Sequence, residues 1–305
     1  PGGQTMKKML KIAAAILSGT VMAAEPTDFQ PERDGGWQPK AETKDGTAVL
    51  TAKQAKVVSA RSFEVDPNAV YRLSGKFRST DPAQKTLFFG MEAMNGKGAV
   101  ISSPAVFVIR GTETELVEEL KKGDTTVTVK DASKWDRNSN ARVIAFNVKD
   151  DFGDLPNMQF SPNIRKIEQA DGVWKITLIR PSGSDFPAAT RIRQHSHGMG
   201  RIYNAAFSKK MQGEQWQEFS GEISGIAPSG APANQWWQGT KKARIIIAGT
   251  PGIAFKDVKL EKVGGKVELT HIPRTRQNAE PAAPLFAKYL KELPRNYPRP
   301  RLLFN

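Results

Sequence analysis

Two adjacent tryptophans, Trp236 and Trp237, stand inside the segment GAPANQWWQGTKK and are the first residues of this chain suited to a ligand. An indole presents a flat apolar surface to the C–H face of a sugar ring, and Asn234, Gln235 and Gln238 beside it are suited to sugar hydroxyls. The segment is rich in Gly, Pro, Asn and Gln and lacks strand alternation, which predicts a connection. Neighbouring side chains in a connection point in different directions, leaving at least one ring for a ligand. The competing reading has both rings plugging an end of the core. Trp37, in a turn-rich entry segment, carries the same two readings, whereas Trp216 begins a strand and reads as core.

A second chemistry is anion binding. In AVYRLSGKFRS the period of two puts Tyr71, Leu73, Gly75 and Phe77 on one face and Arg72, Ser74, Lys76 and Arg78 on the other. Arg72, Lys76 and Arg78 would meet carboxylate or sulfate groups on a polysaccharide; the plainer reading is the solvated side of a strand.

Metal and nucleophile chemistry find less support. His195 and His197 share a side if extended, but the third histidine, His271, lies far off, and there is no cysteine to complete a zinc set. Asp150, Asp151 and Asp154 lack the ligand order of an EF-hand and read as a solvated acidic turn. Asp151-Phe152-Gly153 stands without the other kinase motifs. No nucleophile elbow or Ser/His/Asp order is present, and paired carboxylates for glycoside hydrolysis cannot be placed by spacing.

These residues need elements to hold them. Runs of alternating residues in TLFFGMEAM, EQWQEFSGEISGI, KKARIIIAG and GIAFKDVKLEKV, separated by Gly/Pro-rich turns, predict an all-β antiparallel sandwich. The stretch 104–202 reads as a small β-rich domain inserted into the sandwich formed by 25–103 and 203–264, the alternative being one continuous large sandwich. Within the insertion, TETELVEELKKGD predicts a short helix, and QADGVW predicts a hairpin through Asp171 and Gly172.

Residues 1–24 read as an export signal with an upstream extension. Lys7, Lys8 and Lys11 precede the apolar run 12–21, and Val21-Met22-Ala23 supplies the small-residue cleavage pattern. This predicts a secreted or periplasmic protein with no membrane span after signal removal. With no cysteine, its stability rests on an ordinary core. The net charge of +14 is less telling than it looks. The signal holds three lysines and no acid, and the Pro-rich linker 265–305 holds eight Lys/Arg against three Glu. The remainder is mildly basic, which argues against nucleic acid and weakly favours acidic over neutral polysaccharide.

The two flanking blocks, about 46–103 and 203–263, resemble the jelly-roll carbohydrate-binding modules of secreted glycan-degrading enzymes. The likeness rests on FEVDPNAVYRLSGKFRS, WQEFSGEI and ARIIIAGTPGIAFKDVKLEKV. It implies a galactose-binding-like jelly roll, and no required cofactor. Asp257 falls where such modules often hold a structural calcium, so a metal at Asp257 is what the resemblance implies. The closing YPRPRLLF is similar to the HPRLLF-type entry of heparinase II/III-like polysaccharide lyases, with Arg299 in place of the usual His. The expectation is a non-catalytic, glycan-binding accessory region of a lyase-type enzyme, with a catalytic domain following in the full-length chain. The alternatives are a polysaccharide-active enzyme with its site between sandwich and insertion, and a structural or adhesive surface protein that binds no sugar.

Overall fold

The computed structural model describes residues 28–263 apart from 42, 45, 46, 138–140, 171 and 212. The export segment, His271, Asp171 and the Pro-rich tail with its PRLLF run lie outside the described residues.

Two antiparallel six-stranded sheets pack as a sandwich. The first runs Gln217–Ser224, Val70–Ser79, Ile253–Lys262, Thr47–Val49 and Thr43–Lys44, with Asp28–Phe29 also pairing to Ile253–Lys262. The second runs Ile202–Met211, Lys85–Met94, Lys242–Gly249, Lys56–Ser59 and Trp37–Gln38, with Phe63–Glu64 also pairing to Lys242–Gly249. Alternation decides which residues enter the core. Tyr71, Leu73 and Phe77 from one sheet meet Leu87, Phe89, Met91, Ile245 and Ile247 from the other. Each such buried side chain contributes about 1.5–3 kcal/mol of hydrophobic stabilisation.

The two tryptophans belong to this core, which corrects the expectation that one ring is free. Trp236 and Trp237 are both 0 % exposed. Trp236 meets Phe63 and Tyr71 edge-on at 6.2 and 5.7 Å, and the Trp237 Nε1–H donates to the Pro232 carbonyl at 3.0 Å. Their segment is tied down by its backbone: the Trp236 N–H donates to the Gly225 carbonyl, and the Ala227 N–H to the Trp236 carbonyl. Off the strand ladder, nothing forces neighbours onto opposite faces, so both rings turn inward. Trp37, 5 % exposed, is likewise core, set edge-on against Phe255 at 5.3 Å.

A second apolar cluster is built from residues 116–192, including Leu116, Leu120, Trp135, Phe146, Trp174 and Ile176. Two three-stranded sheets enclose it, Thr126–Val129, Val173–Leu178 and Ile164–Ala170 in one, and Arg142–Phe146, Arg191–Ser196 and Thr114–Glu115 in the other. The Ile164–Ala170 and Val173–Leu178 strands pair as a hairpin whose turn includes Gly172 at φ 78°. No helix forms over TETELVEELKKGD. Leu116 and Leu120 are both buried at helical spacing, but their N–H groups go to the carbonyls of Thr190 and Phe186, and that of Val117 to Thr128. Three separate cross-chain partners satisfy the backbone that a helix would have paired internally.

A buried polar network stands where this cluster meets the sandwich. Asp154 is enclosed, not solvated: its carboxylate takes bonds from Arg193 Nη2 at 3.0 Å, Asn157 Nδ2 at 3.0 Å and the Lys149 N–H at 3.0 Å. Burial alone would raise the Asp154 pKa, but these bonds and the Arg193 charge outweigh it and hold the carboxyl below its usual range. Arg193 Nε donates to His195 Nε2 at 3.1 Å, and His195 Nδ1 donates to the Pro104 carbonyl at 2.7 Å. That arrangement requires a neutral imidazole, in keeping with burial that depresses its pKa to about 4. His197, by contrast, is exposed.

Candidate functional site

The side chains best placed to meet a ligand lie on the outer face of the second sheet. Along Lys85–Met94, Leu87, Phe89, Met91 and Ala93 point into the core, so Phe88, Gly90 and Glu92 face outward. Register puts Arg244 directly opposite Glu92 and Ile246 opposite Gly90 on the neighbouring strand.

On the other side runs the edge strand Ile202–Met211, whose pairing with Lys85–Met94 slips twice. Ile202 opposes Met91, Ala206 opposes Phe89 and Lys209 opposes Leu87, so extra residues are accommodated at both steps. Such bulges re-aim side chains. Here they bring Tyr203 and Phe207 onto Phe88, with ring centres 5.3 and 5.7 Å from it. Phe207 is 52 % exposed, the most open of the large apolar side chains among the described residues. Three touching rings at the surface of a sheet form a platform whose faces are available to an apolar surface.

Beside the rings lies a charged triad. Glu92 is buried and takes Arg201 Nε on Oε1 at 2.6 Å and Arg244 on Oε2. Desolvation would raise its pKa, but the two guanidinium charges and their hydrogen bonds win and keep the carboxyl below its usual range. Two arginines against one carboxylate leave the triad with one net positive charge. The Tyr203 phenol is close enough to feel both Arg201 and Glu92; burial pushes its pKa up, so it stays protonated at neutral pH. In a regular strand Phe88 and Glu92 lie about 13 Å apart, which sets the length of the aromatic-plus-polar strip.

Two glycines hold the edge strand in place. A Cβ on Gly90 would come within 1.9 Å of the Ile202 carbonyl oxygen, and a Cβ on Gly221 within 1.8 Å of the Asn204 carbonyl oxygen. Gly90 belongs to the second sheet and Gly221 to the first, so the edge strand is pressed against both.

The sequence-predicted site residues do not gather here. Arg72 is ion-paired to Glu222 at 2.7 Å and Lys76 to Asp257 at 2.9 Å, which closes most of the expected basic face. Asp257 sits at φ 53° in a register slip between Lys256 and Lys259, exposed and held by that lysine. No group of three or more His, Asp or Glu suited to a metal ion occurs among the described residues. Asn234 is exposed and Gln235 half-buried, but the indoles they were to accompany face inward, and the Gln238 carbonyl oxygen is itself buried without a donor. Arg78 lies over Trp216, which is half-buried at the surface and not in the core. One open depression, lined by Glu113, Thr114, Glu115, Lys130 and Arg191, has Glu115 and both of its cations taken up in Lys130–Glu115 and Arg191–Asp150 pairs.

Phe88, Glu92, Tyr203, Phe207, Arg201 and Arg244 were not singled out from sequence. One signal was available: in the strand TLFFGMEAM, adjacent Phe88 and Phe89 cannot both face the core. No helix among the described residues is long and apolar enough to cross a membrane. Comparison with family models, curated proteins and solved structures gives no match.

Proposed function

We propose that this protein is a non-catalytic glycan-binding region that holds polysaccharide on the outer face of its second sheet. The observation that carries the reading is the ring platform of Phe88, Tyr203 and Phe207 beside the Glu92–Arg201–Arg244 triad. Pyranose rings stack on the aromatic surface, while the Tyr203 hydroxyl and the outer edges of Arg201 and Arg244 bond ring hydroxyls. The single positive charge of the triad favours acidic glycans. Binding suits these groups better than catalysis does. A phenol pushed upward is a poor base, and a carboxylate clamped by two guanidiniums is a poor proton donor. In this reading the chain is exported and serves as the accessory part of a polysaccharide-degrading enzyme of lyase type, as the resemblance of its two blocks and its PRLLF run implies.

Affinity electrophoresis through gels containing alginate, pectin, heparan sulfate or neutral glucan tests the proposal. Retardation by at least one polymer is expected, and Phe207→Ala should weaken it while leaving the thermal transition within about 2 °C, since the ring is half exposed. Equal retardation of parent and variant, or none of the parent, overturns the reading. Release of unsaturated chain ends by the purified chain would overturn its non-catalytic half.

A further inference from the structure

The opposite sheet carries a smaller cluster on its own outer face. The Arg78 guanidinium carbon lies 5.1 Å from the centre of the Trp216 ring, and the Lys256 ammonium nitrogen lies 4.7 Å from the same centre. Their neighbours are closed: Arg72 holds Glu222, and Lys76 holds Asp257 while also feeling the Glu218 charge. Among the described residues neither Arg78 nor Lys256 has a carboxylate partner, and the Arg78 Nε–H is buried with no acceptor. Register sets Arg78 opposite Ala254, two residues from Lys256 on the neighbouring strand, so the two cations can share one anion. The indole gives both a preferred position, because cations are drawn to the ring face, and leaves its remaining surface to an apolar neighbour.

We infer that Arg78, Lys256 and Trp216 form a second subsite, selective for a sugar ring bearing a carboxylate or sulfate. The anionic group meets the terminal guanidinium nitrogens of Arg78 and the Lys256 ammonium, and the sugar ring rests against Trp216. The occupant is a segment of acidic polysaccharide. The site rests on different residues and a different sheet from the Phe88–Tyr203–Phe207 platform, so either can fail alone.

The test compares the full chain with R78Q/K256Q by calorimetric titration against polygalacturonate, dextran sulfate and neutral dextran. The double variant should lose at least about tenfold in affinity for one or both acidic polymers and nothing for dextran. A control pair, K97Q/K122Q, removes the same charge from other exposed positions and should change acidic binding less than twofold. Trp216→Ala should weaken acidic binding where Trp216→Phe restores it, a readout that charge loss alone would not give. Phe207→Ala, which removes the first platform, should leave the dependence on Arg78 and Lys256 intact. The inference fails if R78Q/K256Q binds acidic polymers like the parent, or if the control pair matches its loss. It also fails if phosphatidylserine vesicles capture the protein with the same dependence on Arg78, which would make the occupant a lipid surface.

Discussion

The rings of Tyr203 and Phe207, four residues apart on one strand, stack at an interplanar angle of 26° with centres 5.9 Å apart. An unbroken strand would separate those positions by about 13 Å. The platform is therefore a product of the bulges, and Ser208, at φ 48° next to Phe207, marks where the chain is bent furthest. A β-branched residue resists that conformation. Ser208→Val is expected to cost about 1–2 kcal/mol and to weaken polysaccharide retardation, whereas Ser208→Gly leaves both unchanged. Chemical denaturation and affinity gels run side by side would check it.

Gly90 is the floor under the same strand. A methyl group there meets the Ile202 carbonyl at 1.9 Å, a contact with backbone that cannot rotate away. Gly90→Ala should lower stability by about 1–3 kcal/mol and reduce binding beyond what the stability loss explains, because Tyr203 moves with Ile202. A variant with native stability and native binding would show that the strand has room to retreat.

The His195 network makes stability depend on pH. The buried imidazole has its pKa depressed to about 4, while an unfolded histidine titrates near about 6.5. Between those values the unfolded chain binds the extra proton, so stability is fully present above about 6.5 and declines as pH falls towards 4. The His195 contribution amounts to about 3 kcal/mol at most. In His195→Gln, which keeps a donor for the Pro104 carbonyl and an acceptor for Arg193, urea midpoints measured from pH 7 to 4 should fall less steeply than in the parent. Parallel curves would remove His195 as the source.

The two core tryptophans should respond differently to the same change. Trp237 donates its Nε1–H to Pro232, whereas the Trp236 Nε1–H is buried without a partner. Trp237→Phe loses a hydrogen bond of about 1 kcal/mol in addition to packing, but Trp236→Phe sheds an unmet donor and should cost less. Both should retain glycan retardation, since neither indole reaches the surface. Loss of retardation in a variant that unfolds normally would return Trp236 or Trp237 to the site.

The sandwich was legible because its long strands obey a period of two, as Tyr71, Leu73 and Phe77 do in Val70–Ser79. The helix expected over 112–124 failed for a physical reason. Leu116 and Leu120 share helical spacing, yet each is buried by a different cross-chain neighbour that only the folded topology supplies. The candidate site was hidden more deeply. Phe88 belonged to a strand whose outward face was implied by Phe89, but Tyr203 and Phe207 are brought to it by bulges, and no local pattern announces those. Arg72 and Lys76 were correctly set on an outer face, while their partners Glu222 and Asp257 lie 150 and 181 residues away in sequence. Trp236 and Trp237 misled because residue type in a connection says little about which way a ring turns once its backbone is tied.

The Ile202–Met211 strand is wedged against Gly90 in one sheet and Gly221 in the other. It acts as the seam of the sandwich, and two of the three platform rings are sewn into it. Any fraying that peels this edge strand from Lys85–Met94 must first lift Tyr203 and Phe207 away from Phe88. The platform is thus complete only while that strand stays docked, and a glycan laid across it would act as a stitch between the edge strand and its own sheet, resisting the movement that begins to fray it.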